Sequence, residues 1–345
     1  MMNPTNTIQL IMSGRRQRRR RYVLITSILA IISVALCGLM LYLGNTLYSV
    51  DVIARVLMGE PIKGASFAIE TIRLPRMLAG LFAGFAFGLA GSVFQTMLRN
   101  PLANPNVLGI TAGSSVAAVF CIIILHTSEA VLFIASVVAG LLTVLVLYLL
   151  SIRGTFALGR LILIGIGLDA MLGALIAYLL RISSEHDVAT AYRWLSGSLN
   201  GSQMEELPTL IITVLVCTPI VILLGKRLSL LELGEQAATS LGIHTDKTRI
   251  MLILATVCMI SVATATTGPI AFVAFLAGPI ARRLVGAGYS TVIPAGLVGV
   301  ILVLASDLIG QFAFQTRFPV GVITGILGAP YLIYLLIRMN RKGDF

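Results

Sequence analysis

The chain has 345 residues, of which 57% are hydrophobic and only 11% charged, where an ordinary soluble domain carries about 25% charged residues. No soluble fold hides that much apolar surface, so composition excludes the soluble classes and leaves an all-α, polytopic membrane protein. The net charge of +11 does not indicate a nucleic-acid partner, because the bases sit at the ends of apolar runs, beside lipid. Cys37, Cys121, Cys217 and Cys258 each lie inside an apolar run without CxxC spacing. They read as core residues, and neither a disulfide framework nor a metal site is expected.

Arg15, Arg16 and Arg18 to Arg21 precede an apolar run over residues 22–43. A signal peptide has a shorter apolar region, of about 7–15 residues, and a small-residue cleavage site. Gly44-Asn45-Thr46 is not such a site, so the run is expected to be a retained first helix. Residues 1–21 then form a basic cytoplasmic tail, 22–338 one transmembrane domain and 339–345 a second cytoplasmic tail. Nine further apolar segments follow, at 74–98, 107–125, 130–150, 160–180, 207–224, 250–266, 270–286, 291–314 and 319–338. About ten transmembrane helices place both termini on one side. With the termini inside, 18 of the 25 basic residues are cytoplasmic, which is the asymmetry the positive-inside rule requires.

Between the first two segments, residues 50–58 read as a short helix in an outer loop. The second segment opens with Arg73-Leu74-Pro75-Arg76 and carries Gly80, Gly84, Gly88 and Gly91 near four-residue spacing. Small residues at that spacing let helix backbones approach closely, so tight packing is the default and a pore lining the sharper alternative. The turn Asn100-Pro101-Leu102-Ala103-Asn104-Pro105 follows, and the next segment opens at Gly109. Lipid forbids unpaired backbone groups, so a proline-broken turn must lie at an interface or against protein. Here it is expected to be cytoplasmic, with Asn100 and Asn104 bonding the freed backbone.

Asp169 and Asp307 fall inside the fifth and ninth segments. Intramembrane carboxylates are costly and are either paired or functional. The stretch 182–206 is external and carries Trp194, the single Trp, read as an interfacial anchor. The inner loop 226–249 holds Leu233-Gly234-Glu235, then Ala237, Ala238 and Leu241 on one helical face, stopped by Gly242. Its acids Glu232, Glu235 and Asp246 suit a protein groove better than an anionic lipid surface. Gly225-Lys226-Arg227 lacks the phosphate-loop frame, so ATP chemistry would belong to another polypeptide. Gly268-Pro269 and Gly278-Pro279 are expected to break the helices around the eighth segment.

Four of these stretches stand in the order of a known family. They are Arg73 to Ser115, the LGEQAATSLGI loop, Thr267-Gly268-Pro269-Ile270-Ala271-Phe272-Val273 with Ile280-Ala281-Arg282-Arg283, and Phe318-Pro319-Val320-Gly321-Val322-Ile323-Thr324 with Gly328 and Pro330. From residue 43 onward the chain resembles the FecCD permeases, the membrane subunits of ATP-driven importers of ferric siderophores, haem and cobalamin. Where that family usually has a Pro-His pair, this chain has Gly278-Pro279.

The resemblance implies a cobalamin-importer-like permease fold and transport by alternating access at a permease dimer interface. An iron–siderophore complex is the expected cargo, with haem or cobalamin as alternatives and an ion-coupled secondary transporter as the rival class. It implies a second permease chain, same or homologous, an ABC ATPase dimer carrying ATP and Mg, and an extracytoplasmic substrate-binding protein. This chain would bind no cofactor and no nucleic acid, would hydrolyse no ATP, and would contact membrane lipid. Leu233, Gly234, Glu235, Ala238, Leu241 and Gly242 would couple to the ATPase. Arg73 and Arg76 would dock the binding protein, with Arg317 added by position. The turn 100–105 and Gly109 would lie on the pathway's cytoplasmic side.

Overall fold

The computed structural model describes residues 4–151, 158–232, 234–286 and 288–342. In chain order the α-helices are α1 Pro4–Tyr42, α2 Val50–Leu57, α3 Leu74–Met97, α4 Ile110–Phe120, α5 Glu129–Ser151, α6 Leu158–Ile182, α7 Glu185–Leu195, α8 Leu207–Leu231, α9 Glu235–Ser240, α10 Thr245–Thr267, α11 Val273–Val285, α12 Val292–Phe312 and α13 Val320–Lys342. A π-helical segment, Phe67–Arg73, leads into α3, and another, Cys121–Leu125, continues α4.

Among the described residues, eight helical segments are long and apolar enough to cross a membrane. They match eight of the ten expected segments. The other two, at 107–125 and 270–286, correspond to the shorter apolar Ile110–Leu125 and to the 13-residue α11. Two boundaries shift for physical reasons. Residues 15–21 are helical and continuous with the first span, because arginine is a good helix former and no proline interrupts them. The second span starts early, at Phe67, through a π-helical turn whose Glu70 and Arg73 interrupt the apolar run.

α3 lies at the centre, with 78% of its most apolar window buried against 11% for α6. It packs on α12, α10, α11 and α8, and α1 and α13 flank α12. The glycines make this possible. A Cβ on Gly84 would meet the Gly299 carbonyl oxygen at 2.8 Å, one on Gly88 the Ala295 oxygen at 2.3 Å, and one on Gly91 the Ala274 oxygen at 1.7 Å. The stripe on α3 is therefore a packing face toward α12 and α11. In lipid, where burial gives no hydrophobic gain between helices, such backbone contact supplies the cohesion.

Pro279 does not break α11, which runs unbroken through it. A proline cannot donate to the carbonyl four residues earlier, here Phe275. Gln95 of α3 takes that place, its Nε2 donating to the Phe275 oxygen at 2.9 Å in a buried bond. Gly278 admits the amide, since a Cβ there would lie 1.9 Å from Gln95 Oε1. The expected break at Gly278-Pro279 is thus corrected: the freed backbone acceptor is satisfied from a neighbouring helix, and the helix persists.

The break at Gly268-Pro269 does occur, between α10 and α11. Gly268 has φ 68° and ψ 177°, a conformation glycine reaches without steric cost. Phe272 then adopts φ 63°, unusual for a bulky side chain. The break is packed against the segment after α7, where Ser198 N donates to Thr267 O at 2.7 Å, and that segment is in turn joined to α13 by Gly321 N donating to Gly197 O at 3.1 Å.

Candidate functional site

Three regions carry the chemistry singled out by the sequence. The first is the hairpin between α8 and α10. Gly234, at φ 107°, opens the six-residue α9, and Leu241 and Gly242 close it with amides bonded to Ala237 O and Thr239 O. Ala238 is buried against Leu231 and Ile243, with Leu230 beside them, so the hairpin has its own small apolar core. Leu241 faces away and is 60% exposed. Glu235 begins the helix, and Leu233 lies outside the described residues. At its base Arg282 bonds Glu232 Oε1 at 3.0 Å and Thr96 Oγ1 at 3.2 Å. The result is a braced knob with an apolar tip.

The second region is the turn after α3. Arg99 turns the chain with φ 51°. Asn100 Oδ1 accepts from Leu102 N at 2.8 Å, and Asn104 Oδ1 from Asn106 N at 3.1 Å. Pro101 and Leu102 are half-buried, and Ala103 and Pro105 are buried. Pro105 starts a 3-10 turn that ends on Gly109 at φ 71°. A Cβ on Gly109 would stand 3.6 Å from the Asp169 backbone nitrogen, so the turn packs on α6. The segment is ordered by its own asparagines and held against protein.

The third region is the opposite end of α3. Arg73 turns inward, donating to Leu41 O at 2.8 Å, Tyr42 O at 3.0 Å and Thr46 O at 2.5 Å. Its guanidinium carbon stands 5.2 Å from the Tyr48 ring centroid. Arg76 pairs with Asp307 of α12 through two bonds, at 2.9 and 2.8 Å, and reaches Asn200 Oδ1 at 2.7 Å. Arg317 is exposed and bonds Asn45 Oδ1 at 2.8 Å. Arg73 and Arg76 thus have their donors engaged by this chain's own acceptors, and Arg317 is the member of the set that lies on the surface.

Asp307 is paired, whereas Asp169 is exposed on α6. Cβ atoms at Gly167 and Gly173, on the same helix, would meet nothing within 4 Å. Trp194 is half-buried on α7, its carbonyl against Gly268. Sequence reasoning missed Gln95 and Asn200. Only the unusual polarity of Gln95 inside an apolar run could have flagged it.

A multi-span helical bundle, packed through glycines and carrying a braced knob between two spans, defines a membrane transport subunit. The FecCD transport family model matches residues 16–338, and the chain belongs to that family. It is similar to the ferric enterobactin transport system permease protein FepG of Escherichia coli (strain K12), at 35% identity over 327 residues, 93% of this chain and 98% of that one. It is also similar to the Fe(3+)-citrate import system permease protein YfmE of Bacillus subtilis (strain 168), at 34% identity over 334 residues, 96% and 100% of the two chains. A solved metal-chelate type ABC transporter in an inward-facing conformation matches with a TM-score of 0.82 and 29% identity, covering 92% of this chain and 100% of that one. The protein is a multi-pass component of the cytoplasmic membrane.

Proposed function

We propose that the chain is the permease subunit of a binding-protein-dependent, ATP-driven importer whose cargo is an iron–siderophore complex. Ten membrane helices with both termini cytoplasmic fit the 18-to-7 split of basic residues. The single observation that carries the reading is the knob around α9. It has a buried anchor at Ala238 and an exposed tip at Leu241, which suits insertion into a cleft of a soluble ATPase subunit. ATP and Mg belong to that subunit, and its closure would move the knob and, through Arg282 and Glu232, the ends of α11 and α8.

A second permease chain is supported by α6. An ionisable side chain at membrane depth faces protein or a water-filled cavity, yet Asp169 is exposed in the single chain. A partner permease or the pathway between the two chains would cover it. An extracytoplasmic binding protein would dock at the outer face around Arg317, with Arg73 and Arg76 holding that surface from beneath. Ferric siderophore and citrate relatives motivate the cargo.

The test is the Leu241→Asp variant, co-expressed with the candidate ATPase and purified in detergent. Loss of ATPase co-purification, with the permease still folded in the membrane, is the expected result. Co-purification at the wild-type level would remove the knob from the coupling role.

A further inference from the structure

The start of α1 carries six arginines, at positions 15, 16, 18, 19, 20 and 21, and α1 contains no acidic residue. At 3.6 residues per turn they divide into two faces. Arg18 and Arg21 lie on the protein side. Arg21 donates to Leu284 O at 3.0 Å and to Arg283 O at 3.3 Å, and the Arg18 Cδ would stand 3.3 Å from a Cβ on Gly288. Tyr22 stacks on Tyr289 at 5.1 Å, fixing the rotation of the helix. Arg15, Arg16, Arg19 and Arg20 therefore project together on the opposite side, all four exposed.

Nothing in the described chain neutralises that face. None of its carboxylates pairs with the four arginines, and nearby Glu232 is held by Arg282 at 3.0 Å. Arg15 with Arg19 and Arg16 with Arg20 are like charges four residues apart, an arrangement that destabilises a helix unless an anion lies between them. Over the next four turns or so, α1 exposes Val23, Leu24, Ile31 and Val34 on the continuation of this side, a surface for acyl chains. The step from Arg15 to Arg20 covers about 8 Å of helix axis, comparable to a headgroup layer ~5–8 Å thick.

We propose that Arg15, Arg16, Arg19 and Arg20 form a seat for anionic phospholipid headgroups, the phosphates bridging the two i,i+4 arginine pairs. Arg18, Arg21 and Tyr22 tie the seat to the loop after α11, so a bound headgroup orders that loop against α1. The inference does not depend on the importer reading.

The test uses the purified full chain in phosphatidylcholine vesicles, with trace spin-labelled phosphatidylglycerol or phosphatidylcholine. The wild type should favour the anionic lipid by about fivefold or more, the factor one basic residue contributes at an anionic surface. Replacing the four arginines with glutamine should bring the ratio close to one, while the four-lysine variant keeps most of the preference. Millimolar inorganic phosphate should leave the wild-type ratio unchanged. Loss of preference in free phosphate would reassign the seat to a soluble anion, and an unchanged ratio in the glutamine variant would overturn the proposal. So would a wild type without preference that gains acidic-surface binding only when the ATPase is added.

Discussion

Arg76 and Asp307 form a two-point ion pair, Nε to Oδ2 at 2.9 Å and Nη2 to Oδ1 at 2.8 Å, joining the outer end of α3 to α12. Asp307 is 1% exposed and Arg76 12%. Gln311 Nε2 adds a third bond to the carboxylate at 2.7 Å, and Asn200 accepts from the remaining guanidinium nitrogen. The carboxylate is buried and the guanidinium reaches the surface only at its Asn200 end, so the worth of the pair lies in what happens when half of it is removed.

Asp307→Ala should destabilise the chain by about 3–5 kcal/mol, because a buried guanidinium is left without its counter-charge. The double variant Arg76→Met with Asp307→Leu should recover most of that loss, since neither charge then remains. Thermal unfolding in detergent reads both. A single variant that melts with the wild type would show that the pair is not buried in the folded protein.

Gln95 and Pro279 make a second coupled pair. Gln95→Leu leaves the Phe275 carbonyl without a donor and should cost about 1–3 kcal/mol. Adding Pro279→Ala restores a backbone N–H for that carbonyl, so the double variant should be more stable than Gln95→Leu alone. A double-mutant cycle on thermal stability measures the coupling. Additive effects would mean that Gln95 does not substitute for the missing donor.

Glu206 stands at the start of α8, just outside the span, and its pKa is pushed up to about 7 by burial and then by the neighbouring Glu129 and Glu205. A carboxyl raised in the folded state favours the protonated form. Its stabilisation is complete below the ordinary carboxylate range near 4.5 and is lost as pH rises toward 7. Stability should therefore fall between those values, and Glu206→Gln should flatten that part of the profile. Melting temperatures across pH 4 to 8 test this. An identical slope in the variant would assign the dependence to another group.

The spans were legible because apolar run length is a strong signal, and the short helix at residues 50–57 and the glycine stripe of α3 followed from local pattern. What stayed hidden depends on partners distant in sequence. Arg76 reads as a surface cation until Asp307, 231 positions away, is brought beside it. Pro279 reads as a break until Gln95, 180 positions from the Phe275 carbonyl it bonds, supplies the missing donor. The mixed segment from Phe67 to Arg73 is helical because it extends a buried helix and because Arg73 finds the carbonyls that end α1. Among the residues proposed for the site, the turn 100–105 and the knob around Ala238 were readable from local chemistry alone.

The energy source is the most direct test of the importer reading. Uptake of a radio-iron-labelled siderophore would be followed in cells that depend on this permease, with wild type and Leu241→Asp compared at equal membrane levels. Uptake that fails when cellular ATP is depleted, survives collapse of the proton gradient at maintained ATP, and is lost in Leu241→Asp is the predicted result. Uptake that follows the proton gradient and is unchanged by Leu241→Asp would contradict the account and make the chain an ion-coupled carrier.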